Sequence, residues 1–125
     1  MAESAPNRAA NLLAKEYRAA QKAVEARQID LAWHHLERAH ILAQTRLWPH
    51  CQSHWKMLSL AINQRDFREV VGQVIRLILA PIGNATGKLP LGNTGRANVS
   101  GFTEMPYPDD LADAILQPVD SDGGF

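Results

Sequence analysis

A chain of 125 residues with 13 basic and 13 acidic side chains has room for one modest core and no net field to attract nucleic acid or an anionic membrane. Its longest apolar stretch, Val74 to Ile82 broken by Arg76, is far short of the roughly 20 residues that span a bilayer. One cysteine excludes an internal disulfide, and Met1 to Arg8 hold no apolar run of an export signal, so the expected location is the cytoplasm.

Residues 9–80 contain no glycine but Gly72 and no proline but Pro49, the composition of a helical body. Beyond them Pro81, Pro90, Pro106 and Pro108 alternate with glycines and mark an irregular arm. A first helix is predicted over about 9–27, with Leu12, Leu13, Tyr17, Ala20 and Val24 at helical spacing. A second opens with Asp30 as N-cap and sets Leu31, Ala32, Leu36, Ala39, Leu42 and Ala43 on one face. The third begins near Trp48-Pro49, where proline suits a first turn, and carries the stripe Cys51, Trp55, Leu58 and Ile62.

A fourth helix opens at Asp66 through an acidic variant of the capping box with Glu69. Val70, Val71, Val74, Ile75, Leu77 and Ile78 make it the helix expected to be most buried, with Pro81 and Gly83 stopping it. Glu69 and Gln73 share its other face and read either as outer partners that support a site or, by default, as solvated residues. Short connections favour antiparallel neighbours. The expected architecture is all-α: four antiparallel helices in 9–80 as two stacked hairpins of tetratricopeptide style, since Asp30 and Asp66 recur 36 residues apart. An arm with a short helix ending near Leu116 covers 81–116, and 117–125 form a frayed tail.

All five histidines fall in the 21 residues from His34 to His54, and imidazole is the commonest metal ligand. Glu37 and His40 are spaced i, i+3 on one face of the second helix, as in helical di-metal proteins. His50 and His54 lie one turn apart on the third. Folding the two helices across the turn at Thr45–Leu47 brings these pairs face to face, so Glu37, His40, His50 and His54 are the candidate metal ligands. Zinc suits such a nitrogen and oxygen set; Cys51 and Met57 nearby would favour copper, since sulfur is soft. His34 and His35 are adjacent and point to different faces.

The competing reading is a structural polar cluster at a helix crossing, with Glu37-Arg38 as a surface ion pair. Glutamate is missing from His50-x3-His54, where Cys51 follows the first histidine, so zinc-protease chemistry has no support. Gly83-Asn-Ala-Thr-Gly87-Lys88 has the wrong spacing for a phosphate loop. No nucleophile–base pair or cofactor motif supports an enzyme. Cys51 would be a reactive thiol only if it escaped burial on its stripe.

His-Leu-Glu-Arg-Ala-His (35–40), the His-x3-His that follows, and Leu-Pro-Leu-Gly-Asn-Thr-Gly-Arg-Ala-Asn-Val-Ser (89–100) resemble an uncharacterised family of small bacterial proteins, a domain of unknown function. The resemblance spans about residues 10–112, and the Gly-Asn-Thr-Gly arm is its most specific part. It implies a link to metal tolerance and supplies no catalytic residues. A cytosolic copper- or zinc-binding protein is therefore the leading expectation. The alternative is a helical-hairpin interaction module that binds a protein partner or a second copy of itself, with Phe102, Met105 and Tyr107 of the arm as contacts.

Overall fold

A computed structural model describes residues 5–99 and 103–115. It is all-α: α1 (Ala5–Glu25), α2 (Ile29–Ala43), α3 (Leu47–Asn63), α4 (Phe67–Thr86) and the short α5 (Asp109–Ile115). Helix α1 packs on α2 and α3 on α4, and the two hairpins meet along α2 and α3. The expected stacked hairpins are therefore present. Phe102 and the tail 117–125 lie outside the described residues. No helix among the described residues is long and apolar enough to cross a membrane.

The hairpin turns are built alike. Arg27 and Arg65 both adopt left-handed backbone, with φ of 58° and 56°. Gln28 N–H reaches back to the Ala23 carbonyl and Asp66 N–H to that of Ala61. This closure satisfies carbonyls that the helix end leaves unpaired. Gln28 thus corresponds to Asp66, which sets the true offset of the two hairpins at 38 residues instead of the expected 36. Asp30 accordingly lies inside the first turn of α2 and is not its cap, whereas Asp66 does cap α4 by accepting from Glu69 N–H at 3.2 Å.

The inner face of α2 is as the spacing predicts, except that Leu31 is exposed. Ala32, Trp33 and Leu36 pack with Ala20 and Ala23 of α1 and Met57, Leu60 and Ala61 of α3. Farther along, Ile41 and Leu42 pack with Leu111 of α5, flanked by Leu12, Leu13 and Tyr107. Each large side chain buried in this way contributes about 1.5–3 kcal/mol.

Two expectations for α3 and α4 fail. Pro81 does not stop α4, which runs on to Thr86 and ends at Gly87, whose φ is 73°. Pro81 is exposed, and the added turn is held by Asn84, whose side chain bonds His50 and the Gln44 carbonyl. More consequentially, α3 and α4 are rotated relative to the predicted faces. Trp55 and Ile62 on α3, and Val71, Val74, Ile75 and Ile78 on α4, are exposed, while Glu69 and Gln73 are buried. The inner side of this hairpin is occupied by a polar assembly, and the apolar stripes face outward.

Candidate metal centre

His40 closes the last full turn of α2, and His50 and His54 occupy successive turns at the start of α3. The tight link Gln44–Arg46 folds α3 back so that the three buried imidazoles converge. Their ring centroids lie 4.6–5.0 Å apart. His40 Nε2 is 3.2 Å from His50 Nε2 and 3.1 Å from His54 Nε2. Among the described residues this is the group of three that could hold a metal ion, with one ligand atom from each within 4.8 Å of the others.

The far side of each ring fixes what the converging atoms are. His40 Nδ1 is 2.8 Å from the Asn93 main-chain carbonyl, which can only accept. His50 Nδ1 lies 2.8 Å from Asn84 Oδ1, and Asn84 Nδ2 donates to the Gln44 carbonyl. His54 Nδ1 lies 2.7 Å from Gln73 Oε1, and Gln73 Nε2 donates to Glu69 Oε2 and the Gly95 carbonyl. Both amides have their NH2 end engaged elsewhere, so each offers oxygen to the ring. All three Nδ1 atoms therefore carry a proton and donate it. In the neutral rings every Nε2 is then a bare lone pair, and the three aim at one point.

His40 Nε2 stands 3.2 and 3.1 Å from the Nε2 atoms of His50 and His54, yet bare acceptors cannot hydrogen-bond to one another; they repel unless a cation sits among them. A proton is a poor candidate. Burial, followed by the neighbouring imidazoles, holds His40 well below its ordinary range. Burial also lowers His50, against the pull of Asn84, and brings His54 down to about 4 despite its bond to Gln73. The Arg76 guanidinium adds to the depression of His40 and His54. At neutral pH the triad is uncharged.

The glycine-rich arm is the back wall of this centre. Gln44 clamps it, donating to the Pro90 carbonyl at 2.8 Å and accepting from Gly92 N–H at 3.1 Å. Asn93 steadies the turn by accepting from Gly95 N–H and donating to the Thr103 carbonyl. At Gly95, with φ of 85°, an added Cβ would lie 2.7 Å from His40 Cγ and 2.8 Å from its Cδ2. Gly95→Ala is accordingly expected to cost about 2 kcal/mol, from left-handed strain and the displaced ring together. Urea unfolding of the variant measures it.

Glu37 does not join the histidines. Its carboxylate receives Arg96 Nη1 at 3.2 Å, and burial raises its pKa against the pull of Arg96. Arg96 lies over the Trp33 ring and donates through Nε to Glu69 Oε1 at 3.0 Å. A continuous chain thus runs from Glu37 through Arg96, Glu69 and Gln73 to His54. Nor does Glu37 pair with Arg38, which instead bonds Glu16 and Asp110. His35 joins that second cluster through Glu16 at 2.7 Å, and His34 is exposed.

Neither sulfur residue reaches the triad. Met57 is buried in the main core, and Cys51 lies beside Trp48 and Trp55 on the outer side of α3, where burial pushes its thiol up, not down. Met105 N–H donates to the Leu91 carbonyl within the arm, and Tyr107 packs the arm against the body near Ile41 and Leu42. Gln73 fills the outer-partner reading and not the solvated one, whereas the amides Asn84 and Asn93 were the residues hardest to find from the sequence. Their one visible signal is polar side chains within otherwise apolar or glycine-rich runs.

One side of the triad opens on a cavity of about 690 Å³. Aliphatic Leu79, Ile82 and Leu89 share its lining with Arg76, Lys88 and Glu104. No curated protein and no solved structure matches the chain. Residues 7–115 match the family described as "Protein of unknown function (DUF3703)", and the chain belongs to that family.

Proposed function

We propose that this protein binds one zinc ion through Nε2 of His40, His50 and His54, leaving a coordination position directed toward the adjoining cavity. The observation that carries the reading is the convergence of three unprotonated nitrogens, each ring being oriented by a bond to its opposite nitrogen. Metal-bound histidines characteristically have such outer partners. Zinc–nitrogen bonds of about 2.0–2.1 Å at tetrahedral angles separate the nitrogens by about 3.3–3.4 Å, close to the spacings of 3.1 and 3.2 Å. With Cys51 and Met57 elsewhere, the donor set favours zinc over copper(I).

Three neutral imidazoles leave the ion its full charge. Hydroxide, or another small anion in the open position, would offset that charge beside Arg76. The test is elemental analysis of untagged protein, followed by titration with zinc and then cobalt(II). Near-stoichiometric zinc bound below micromolar Kd is the expected result. Visible cobalt bands that shift on adding azide would report the open position. Absence of binding by either ion leaves the histidines as a structural cluster and overturns the proposal.

A further inference from the structure

Helix α4 is inverted with respect to ordinary amphipathic design. Phe67, Val71, Ile75, Ile78 and Ile82 follow one another at steps of four, four, three and four residues, which places them in a stripe along one side. All five are exposed, Phe67 at 72% and Ile78 at 64%. The opposite side carries the buried Glu69 and Gln73. On α3 the outward stripe continues with Trp48 at 78% exposed and Trp55 at 59%. Leu77 of α4 joins the two stripes, sharing a groove with Trp48 and Trp55.

We infer that this face is the interface of a homodimer, in which two α3–α4 hairpins pack across a twofold axis. Its size supports a specific interface. The exposed apolar side chains of the two helices present on the order of 1,000 Å² per chain, against about 800 Å² per partner in a standard stable complex. The composition supports a second copy as occupant. Of the charged residues of α4, Glu69 and Arg76 lie off the stripe and Arg68 only borders its first turns, so the stripe itself is uncharged along its length. A partner must bring an uncharged apolar ridge of similar length. The α4 stripe of another chain is such a ridge, about 24 Å long from Phe67 to Ile82. Twofold packing buries both stripes at once and closes the assembly.

The interface also reaches the histidine site. Leu79 and Ile82, both exposed, line the cavity beside His40, His50 and His54. A partner helix seated on the stripe therefore covers the cavity's rim. The dimer itself does not depend on the metal reading, because the stripe and its area stand without it.

Sedimentation equilibrium of the full chain at tens of micromolar, with and without zinc, tests the inference. The expected mass is twice the 13.8 kDa of one chain. Ile75→Glu/Ile78→Glu should halve it while leaving the far-UV circular dichroism unchanged, because both positions face water in the single chain. Should that variant unfold, Val71→Lys tests the same stripe with one charge and should likewise be monomeric. A monomeric wild type overturns the inference, as does a folded charged variant that stays dimeric. A wild type that is monomeric in buffer and sediments with phosphatidylcholine–phosphatidylserine vesicles overturns it in favour of a lipid surface.

Discussion

Replacing His50 and His54 together by alanine is expected to weaken zinc binding by more than about 1,000-fold, with helicity retained. A structural zinc site with four ligands is worth about 10–16 kcal/mol at neutral pH. Losing two nitrogens from a three-nitrogen site should therefore exceed the roughly 4 kcal/mol that corresponds to 1,000-fold. Glu37→Gln is expected to leave the affinity within a few-fold, because that carboxylate is committed to Arg96. Calorimetric titration of the two variants beside the wild type separates the arrangements. Loss of binding in Glu37→Gln with retention in the double variant would place the metal at the carboxylate and refute the triad. The double variant also leaves Asn84 Oδ1 and Gln73 Oε1 without their donors. Each such buried acceptor costs about 1–3 kcal/mol, so its thermal unfolding is recorded with the titration.

Acid should produce the second large effect, on the metal-free protein. The pKa values of His40, His50 and His54 are all lowered by folding, His54 from 6.5 to about 4. Above pH 6.5 neither the folded nor the unfolded chain protonates these rings, and stability is level with respect to them. As pH falls below 6.5 the unfolded chain takes up protons that the folded chain refuses, so stability declines until the folded pKa is passed. His54 alone accounts for a loss on the order of 3 kcal/mol across that window. His40 and His50, lowered in the same direction, steepen that decline. Glu37, whose pKa burial raises, acts in the opposite direction, but only near the carboxylate range.

Zinc at a thousand times its Kd should add about 4 kcal/mol near neutrality, an increment that fades in acid because protons compete for the same lone pairs. Urea unfolding at pH 7.5, 6 and 5, with and without zinc, measures both effects. A metal-free stability that stays flat through pH 5 would mean that the rings are solvated and that the converging lone pairs are not a feature of the folded protein.

Much of the frame was legible in the chain. Helical spacing revealed α1 and α2 and their inner faces, from Leu12 and Leu13 to Ala32 and Leu36. The i, i+4 pair His50 and His54, a short turn from His40, pointed to three imidazoles meeting across one hairpin. These features are local: a 3.6-residue repeat sets which side chains share a side, whatever surrounds the helix. Glu37 illustrates the limit. Its spacing to His40 fitted a ligand pair, yet Arg96, 59 residues away in sequence, draws its carboxylate aside.

The orientation of α3 and α4 lay beyond local reading for the same reason. Periodicity identifies an apolar side and assigns it to the core, because burial of hydrocarbon is the usual largest gain. Here Glu69 and Gln73 turn inward because Arg96, Ala97 N–H, the Gly95 carbonyl and His54 satisfy them. A fully partnered polar group can occupy the interior at little cost. Those partners come from another helix and from a glycine-rich arm that lies 22 or more residues away from Gln73 in sequence. The amino-acid sequence by itself determined four helices, their pairing and a histidine-rich hairpin. Only the tertiary structure decided which faces are buried, which nitrogen of each ring is free and which apolar stripe faces outward, because each depends on bonds between residues brought together by folding.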